Sequence, residues 1–241
     1  MRVGIDAHMV GARETGNETY IRGLVDGLAG LADPPELRIY HVGDAWRPLP
    51  VPSRFSRLTT GNPYIRLGVD LPTRARLDGL DVLHTTYAGP LWSAAPTVLT
   101  VHDVSFATNP EWFSRRDVRM LSTAVPWSIR RAARVITVSS AAREQILERF
   151  RIPEEKVAVI PNGVGPAGSA IDLDVADQAL RGLGIAPDRP YLLGVGTLQP
   201  RKNLGRLVEA FARLIQEGSY DGDLVLAGPA RGRWDGTQAP P

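Results

Sequence analysis

Arg201 and Lys202 stand where charge is least expected. The preceding Tyr191–Val195 (YLLGV) is short, apolar and partly β-branched, as suits a buried strand. Beyond Asn203, the residues Leu204, Leu207, Val208, Phe211, Leu214 and Ile215 fall at helical spacing, and Asn203 itself reads as an N-cap. A helix N-terminus already carries partial positive charge, so two cations beside it are mildly unfavourable unless an anion reverses the sign. Free backbone N–H groups, a guanidinium fork and an ammonium together suit a diphosphate. The turn residues Gly196 and Thr197 belong to the same candidate cleft. The alternative is two solvated surface cations at a strand–helix turn.

Histidine is the second chemically capable type. His8 follows the first strand candidate, Arg2–Ala7, while His84 and His102 end the apolar runs 81–84 and 97–102. In an open parallel sheet, ligands bind outside the carboxyl ends of the strands, so three of the four histidines fall where a site would be. For His8 and His84 the favoured reading is a strand end capped by a backbone hydrogen bond, with a place in the cleft as the alternative. The spacings form no local chelate pattern, and no metal is expected. Gly11 and Gly16 lie in the loop after the first strand, where a glycine lets a ligand approach the backbone closely.

These residues need strands and helices in alternation. Thr15 and Glu18 have capping-box spacing, with Tyr20, Ile21, Leu24, Val25 and Leu28 as the apolar face that follows. Strands are expected at 37–42, within 51–60, and at 135–139, 157–160 and 224–227. Residues 64–77 read as loop plus short helix. A helix capped by Ser114 and Asp117 should be ended or kinked by Pro126. Ser139 or Ser140 caps the helix AAREQILERF, and GPAGSAIDLD reads as a linker before a short helix over 172–184. The fold class expected is α/β with a parallel sheet, doubly wound if the resemblance given next holds.

The segment GVGTLQPRKNLGRLVEAFARL resembles the donor-phosphate motif of the GT-B glycosyltransferases of family 4. A second stretch, RVITVSSAAREQILERFRIPEEKVAVIPNGV, is similar to that family's Val-x-Val-Ser strand, helix, Lys-Val strand and Pro-Asn-Gly-Val order, which brings Asn162 into the candidate cleft. TVLTVHDVSF resembles its His-Asp stretch. The resemblance implies that Arg201 and Lys202 bind the donor diphosphate, with the backbone near Gly16 facing it. It also implies that His102 sits beside the donor sugar, while Asp103 orients the loop or the histidine. The implied fold is a Rossmann-like N-terminal domain over residues 1–168 and an incomplete second Rossmann-like domain over 169–241. The implied activity is a retaining transfer of a hexose, mannose or glucose, from a nucleotide diphosphate sugar to a hydroxyl acceptor.

The resemblance runs from Met1 to about Pro229, but the family's later Glu-x7-Glu motif is missing. Glu209 and Glu217 have that spacing, yet they lie on the helix after Lys202 without the glycine- and proline-rich loop that should precede the first glutamate. A truncated form of the enzyme is therefore expected. The rival reading is a non-catalytic remnant that binds an acceptor or partner; an epimerase or phosphorylase finds no motif.

Composition narrows the classes. Of 241 residues, 43% are hydrophobic and 22% charged, as in an ordinary globular protein. A net charge of +2 gives no argument for nucleic acid, and the absence of cysteine removes disulfides and thiolate chemistry. No signal peptide and no spanning apolar run are read, so the expected location is cytoplasmic. No cofactor is expected beyond the nucleotide sugar as donor substrate. The implied partners are that donor and a sugar or lipid-linked acceptor. The arginine-rich helix after Ser114 admits peripheral association with the inner membrane face, and an incomplete second domain admits self-association.

Overall fold

The computed structural model describes residues 1–11, 15–43, 49–164, 172–199 and 202–229. The chain divides into two compact units, Met1–Gly165 and Pro166–Pro241.

The first unit is a seven-stranded, wholly parallel sheet. Its strands are β1 (Arg2–Asp6), β2 (Glu36–His41), β3 (Ser53–Arg57), β4 (Val82–Thr86), β5 (Thr97–Thr100), β6 (Arg134–Thr137) and β7 (Val157–Val159), in the order β3-β2-β1-β4-β5-β6-β7. The order runs outward one way from β1 to β3 and the other way from β4 to β7. The switch point therefore lies between β1 and β4, where a doubly wound sheet opens a crevice at its carboxyl edge.

Parallel strands must be covered on both faces. β2 shows how one strand serves both: Leu37 and Ile39 join Ile5, Ile21 and Val25 in one core cluster, while the alternate Tyr40 joins Leu71 and Leu83 in another. Ile21 and Val25 come from α1 (Thr15–Ala29) at i, i+4 spacing. A third cluster gathers Leu99 and Val135 from the sheet under Val125 and Ile129 of α5 (Arg115–Arg131) and Ile146 and Phe150 of α6 (Ser140–Phe150).

The helix starts are chemically signed. Ser114 accepts from the Asp117 N–H at 3.1 Å while its hydroxyl donates to the Asp117 carboxylate at 2.7 Å. Ser139, rather than Ser140, caps α6 by accepting from Ala142 N–H at 3.1 Å. Such a cap is worth about 1 kcal/mol. α1 begins at Thr15, whose side chain lies outside the described residues; Glu18 accepts from Arg22 one turn on.

Several expectations about the elements of the first unit need correction. Of the two outcomes expected at Pro126, an end or a kink, the helix does not end: α5 continues to Arg131, because Val125, Ser128 and Ile129 on either side of the proline are buried and packing outweighs the one missing N–H. Residues 63–77 are helical throughout, as α2 (Pro63–Ile65), a π turn (Arg66–Asp70) and α3 (Leu71–Leu77), since Leu67, Leu71 and Ala75 bury at i, i+4 intervals despite the arginines between them. β4 runs on to Thr86, so His84 lies inside the strand rather than at its end.

The π turn has a specific tie to the sheet. Arg66, 5% exposed, directs its guanidinium at the fully buried carboxylate of Asp6, the last residue of β1. Burial pushes the Asp6 carboxyl up, but Arg66 and then His8 pull it further down, to about 2.

The second unit contains α7 (Leu173–Gly182), β8 (Tyr191–Val195), α8 (Leu204–Gln216) and β9 (Asp223–Ala227), with β8 and β9 parallel and in register from Tyr191↔Asp223 to Val195↔Ala227. The short α7 opens on Asp172, whose carboxylate accepts from Asp174 N–H at 3.0 Å. Asn203 departs from the expected cap: it adopts the left-handed conformation, φ 53°, and its side chain makes no capping bond. A capping side chain needs an extended backbone to fold back over the first turn, which this conformation denies it. No residue of β8, β9, α7 or α8 is buried; Leu193 is 56% and Val195 77% exposed.

Two predictions follow from the packing. Native-state hydrogen exchange should show β8, β9 and α8 exchanging faster than β1, β4 and β5, because only the latter carry buried apolar contacts; equal protection would contradict this reading. Asp6→Asn leaves Arg66 buried and uncompensated, so urea melts at pH 7 should lose about 3–5 kcal/mol. Because the folded Asp6 carboxyl lies near 2 and the reference value is 3.8, its contribution is complete above about pH 4 and is lost as pH falls toward about 2; the variant should lack that acid step.

Candidate functional site

The carboxyl edge of β1, β4 and β5 is where polar side chains enter the core. Asp6, His84, Thr85, Thr86 and Thr100 are all buried on these three strands. Each lies near the switch point because the strand order puts β1, β4 and β5 side by side.

The described bonds of the His8 ring go to a side chain and not to the backbone expected of a strand cap. Its Nδ1 stands 3.0 Å from Asp6 Oδ1, and its backbone N–H donates to the same oxygen at 3.3 Å. His84 likewise makes no ring bond to backbone. Its Nε2 lies 2.9 Å from Thr100 Oγ1 across the β4–β5 pair, and its buried Nδ1 has no partner. The backbone groups these rings would have capped are engaged elsewhere: His8's own strand continues through Ala7 N–H donating to Tyr40 O, and β4 runs on to Thr86. Burial pulls His84 down to about 4, with the Asp6 charge opposing that shift, so the ring is neutral near pH 7.

His102 follows β5 by two residues and is half-buried. Its Nε2 is buried without a hydrogen-bond partner. Tyr20 of α1 meets the ring edge-on, centroids 4.6 Å apart at 87°, and Tyr87 stands 5.7 Å away. Burial lowers the His102 pKa, and the Asp103 carboxylate partly opposes this. Asp103 itself accepts from Ser105 N–H at 2.9 Å and from Ser105 Oγ at 2.5 Å, which fixes the chain entering the short helix α4 (Ser105–Thr108). It makes no hydrogen bond to His102 among the described contacts.

Gly16 lies in the first turn of α1, and a Cβ placed on it would meet nothing within 4 Å. Gly11 has φ 83°, a left-handed conformation that closes the turn after β1. Asn162 is exposed after β7, the edge strand, and so lies two strands beyond β5, roughly 10 Å from it.

In the second unit, Gly196, Thr197 and Lys202 come together. The Lys202 side chain passes Gly196, its Cε 3.6 Å from where a Cβ would be, and Lys202 N–H donates to Gln199 O at 3.0 Å. Gly228 is required as glycine: a Cβ there would stand 1.9 Å from Gly196 O. Arg201 lies outside the described residues.

Asp6, Arg66, Tyr20 and Thr100 were not singled out by the sequence. Asp6 and Thr100 carried a signal, a polar residue closing an apolar strand. Arg66 and Tyr20 carried none, since both sit on helical segments where charged and aromatic residues are ordinary. Among the described residues no group of three or more His, Asp or Glu side chains stands close enough to hold a metal ion, and no helix is long and apolar enough to cross a membrane.

Comparison with known proteins bears on the family and the fold. The chain is 29% identical over 140 residues to O-antigen chain mannosyltransferase B of Escherichia coli, covering 54% of this chain and 34% of that one. It is 28% identical over 170 residues to 2-deoxystreptamine N-acetyl-D-glucosaminyltransferase of Streptomyces fradiae, covering 64% and 40%. The chain thus spans between a third and two-fifths of the length of these relatives. Among solved structures, Anabaena Alr3699/HepE in complex with UDP and glucose superposes with a TM-score of 0.59 at 16% identity, over 96% of this chain and 62% of that one. That likeness is one of fold, a GT-B type α/β architecture. The sequence profile of Glycosyltransferase Family 4 matches residues 15–167, well over half of the chain, and the chain belongs to that family.

Proposed function

We propose that this chain carries the acceptor-side domain, residues 1–168, and the first part of the donor-side domain, residues 169–241, of a retaining glycosyltransferase. The reaction moves a hexose from a nucleotide diphosphate sugar to a hydroxyl of a sugar or lipid-linked acceptor. The observation that carries this reading is His102: an imidazole at the carboxyl edge of the sheet whose buried Nε2 has no partner within the protein. A buried polar atom left unpaired costs free energy, and a bound sugar hydroxyl removes that cost. Held below its ordinary range by burial, the ring is neutral near pH 7 and exchanges a hydrogen bond with a hydroxyl or a phosphate oxygen.

The charge that develops in such a transfer sits on the leaving diphosphate. Lys202, beside the Gly196–Thr197 turn, and Arg201 supply fixed positive charge, and the first-turn amides at Gly16 supply oriented dipoles. Attack on the face from which the phosphate departs retains configuration without a carboxylate nucleophile. Asp103 acts through the loop it ties to Ser105, which sets where His102 leaves β5. The reaction so drawn uses no metal and no cofactor. The names of the relatives, a mannosyltransferase and an N-acetylglucosaminyltransferase, and a solved fold relative holding UDP and glucose, support a nucleotide-sugar donor of this kind. The reading places the enzyme in the cytoplasm, with peripheral contact at the inner membrane face when the acceptor is lipid-linked.

A second reading is favoured by the exposed apolar residues of β8 and α8: a chain that binds acceptor or partner without turning over. Assaying nucleotide-sugar hydrolysis and transfer by the 241-residue chain separates the two; acceptor binding without turnover supports the binder. In an active full-length relative, alanine at the positions of Arg201 or Lys202 should lower kcat about 10²- to 10³-fold. A loss of less than about threefold would remove them from the donor site, since a group that stabilises the leaving charge is worth far more. His102→Ala should lower kcat by about 10²-fold while leaving the thermal melt within a few degrees, and steady-state kinetics with a nucleotide sugar checks it.

A further inference from the structure

Tyr20, Thr100 and His84 form one hydrogen-bonded chain that the proposed reaction does not use. Thr100 Oγ1 stands 2.8 Å from the Tyr20 hydroxyl and 2.9 Å from His84 Nε2, and Thr100 is wholly buried. A hydroxyl can donate one hydrogen bond and accept two, so this one joins the two aromatic residues without help from solvent. His84 is itself 5% exposed and is anchored at one nitrogen only, since its Nδ1 has no partner. Tyr20 then does two things at once. Its hydroxyl end is pinned over β5 by Thr100, and its ring lies edge-on to His102.

That second contact matters because of what His102 lacks. With Nε2 unpartnered, no hydrogen bond at that nitrogen holds the ring, and its orientation rests on the faces packed around it. Those faces are Tyr20 from α1 and Tyr87 from the segment after β4, with Asp103 next along the chain and neutral His84 near enough to feel its charge. Of these groups, Tyr20 is both nearest by ring centroid and fixed at its far end by a buried partner.

We propose that Tyr20 is the positioning residue of the His102 imidazole, and that the buried Thr100–His84 pair holds Tyr20 in that posture. The fixation of the ring stands on geometry alone; its consequence for turnover rests on the transferase reading of His102.

The test uses the 241-residue chain labelled with 15N-histidine, its His102 ring followed by long-range 1H–15N spectra from pH 4 to pH 9. Thr100→Val removes both bonds at constant shape, Tyr20→Leu removes the ring, and Thr100→Ser keeps the hydroxyl. In Thr100→Val and Tyr20→Leu, water reaches the imidazole, and its titration should move up by about half a pH unit or more toward the ordinary value. Thr100→Ser should hold it within about 0.2 unit of the native chain, because the joining oxygen remains. Tyr20→Phe, which differs by one oxygen, keeps the ring but frees it, and should broaden the His102 signals with the melt unchanged. His102 behaving as in the native chain in folded Thr100→Val and Tyr20→Leu would overturn the proposal, as would equal shifts in the Val and Ser variants. Turnover is a separate readout: Tyr20→Leu should lower kcat at least about tenfold with the donor KM within about threefold, the pattern of lost orientation rather than lost binding. A native chain that binds but does not turn over would sink the transferase reading while leaving the ring result to decide this one.

Discussion

The reversal of strand order between β1 and β4 is the constraint on which the first unit depends. All six pairings in the sheet are parallel, so every strand ends at the same edge, and helices must cover both faces. At the reversal, successive crossovers leave in opposite directions and no helix closes the gap between the two strand ends. Asp6 at the end of β1 and His84 on β4 are brought together by this rule, not by sequence proximity. β5, the next strand, adds Thr100 and then His102.

Opening a crevice in a core exposes the chain to a cost, because polar groups placed there lose water. The first unit meets it by neutralising charge in place. The Asp6 carboxylate is matched by Arg66 and held ionised, while His84 is kept neutral by burial. The buried edge therefore offers hydrogen-bonding atoms and little net charge. On the proposed reading, positive charge for a diphosphate comes from the segment carrying Arg201 and Lys202 and from helix-start amides at Gly16.

The second unit has the local chemistry of a βαβ element without a finished core. β8 and β9 pair in register, and Leu207 of α8 packs near Gly194 and Leu226. Phe211 and Tyr220 meet edge to face at 6.1 Å. Yet Leu192, Leu193, Val208 and Ile215 remain well exposed, because among the described residues two strands and two helices give them too few neighbours. The close approach of Gly228 to Gly196 O, where no Cβ fits on Gly228, draws the ends of β8 and β9 together.

Element type was legible wherever periodicity and caps agreed. The helix after Ser139 and the α/β alternation follow from apolar spacing that a covered parallel sheet requires, while Tyr191–Val195 forms the expected strand but not the buried one its apolar run suggested. The resemblance carried by RKN, His-Asp and Pro-Asn-Gly-Val reached the family for a related reason, since those short segments hold their chemistry locally. Helix 63–77 and the passage of α5 through Pro126 were not legible, because there tertiary burial outweighs propensity and the missing N–H. Nor could the pairing of Asp6 with Arg66, sixty positions apart, be read from the chain, or the joining of Tyr20 to His84 through Thr100. Local order in a chain is written by neighbours three or four residues away. Which buried polar groups meet is decided only when the sheet sets its strand order, because a hydrogen bond formed across eighty residues of sequence has no local signature.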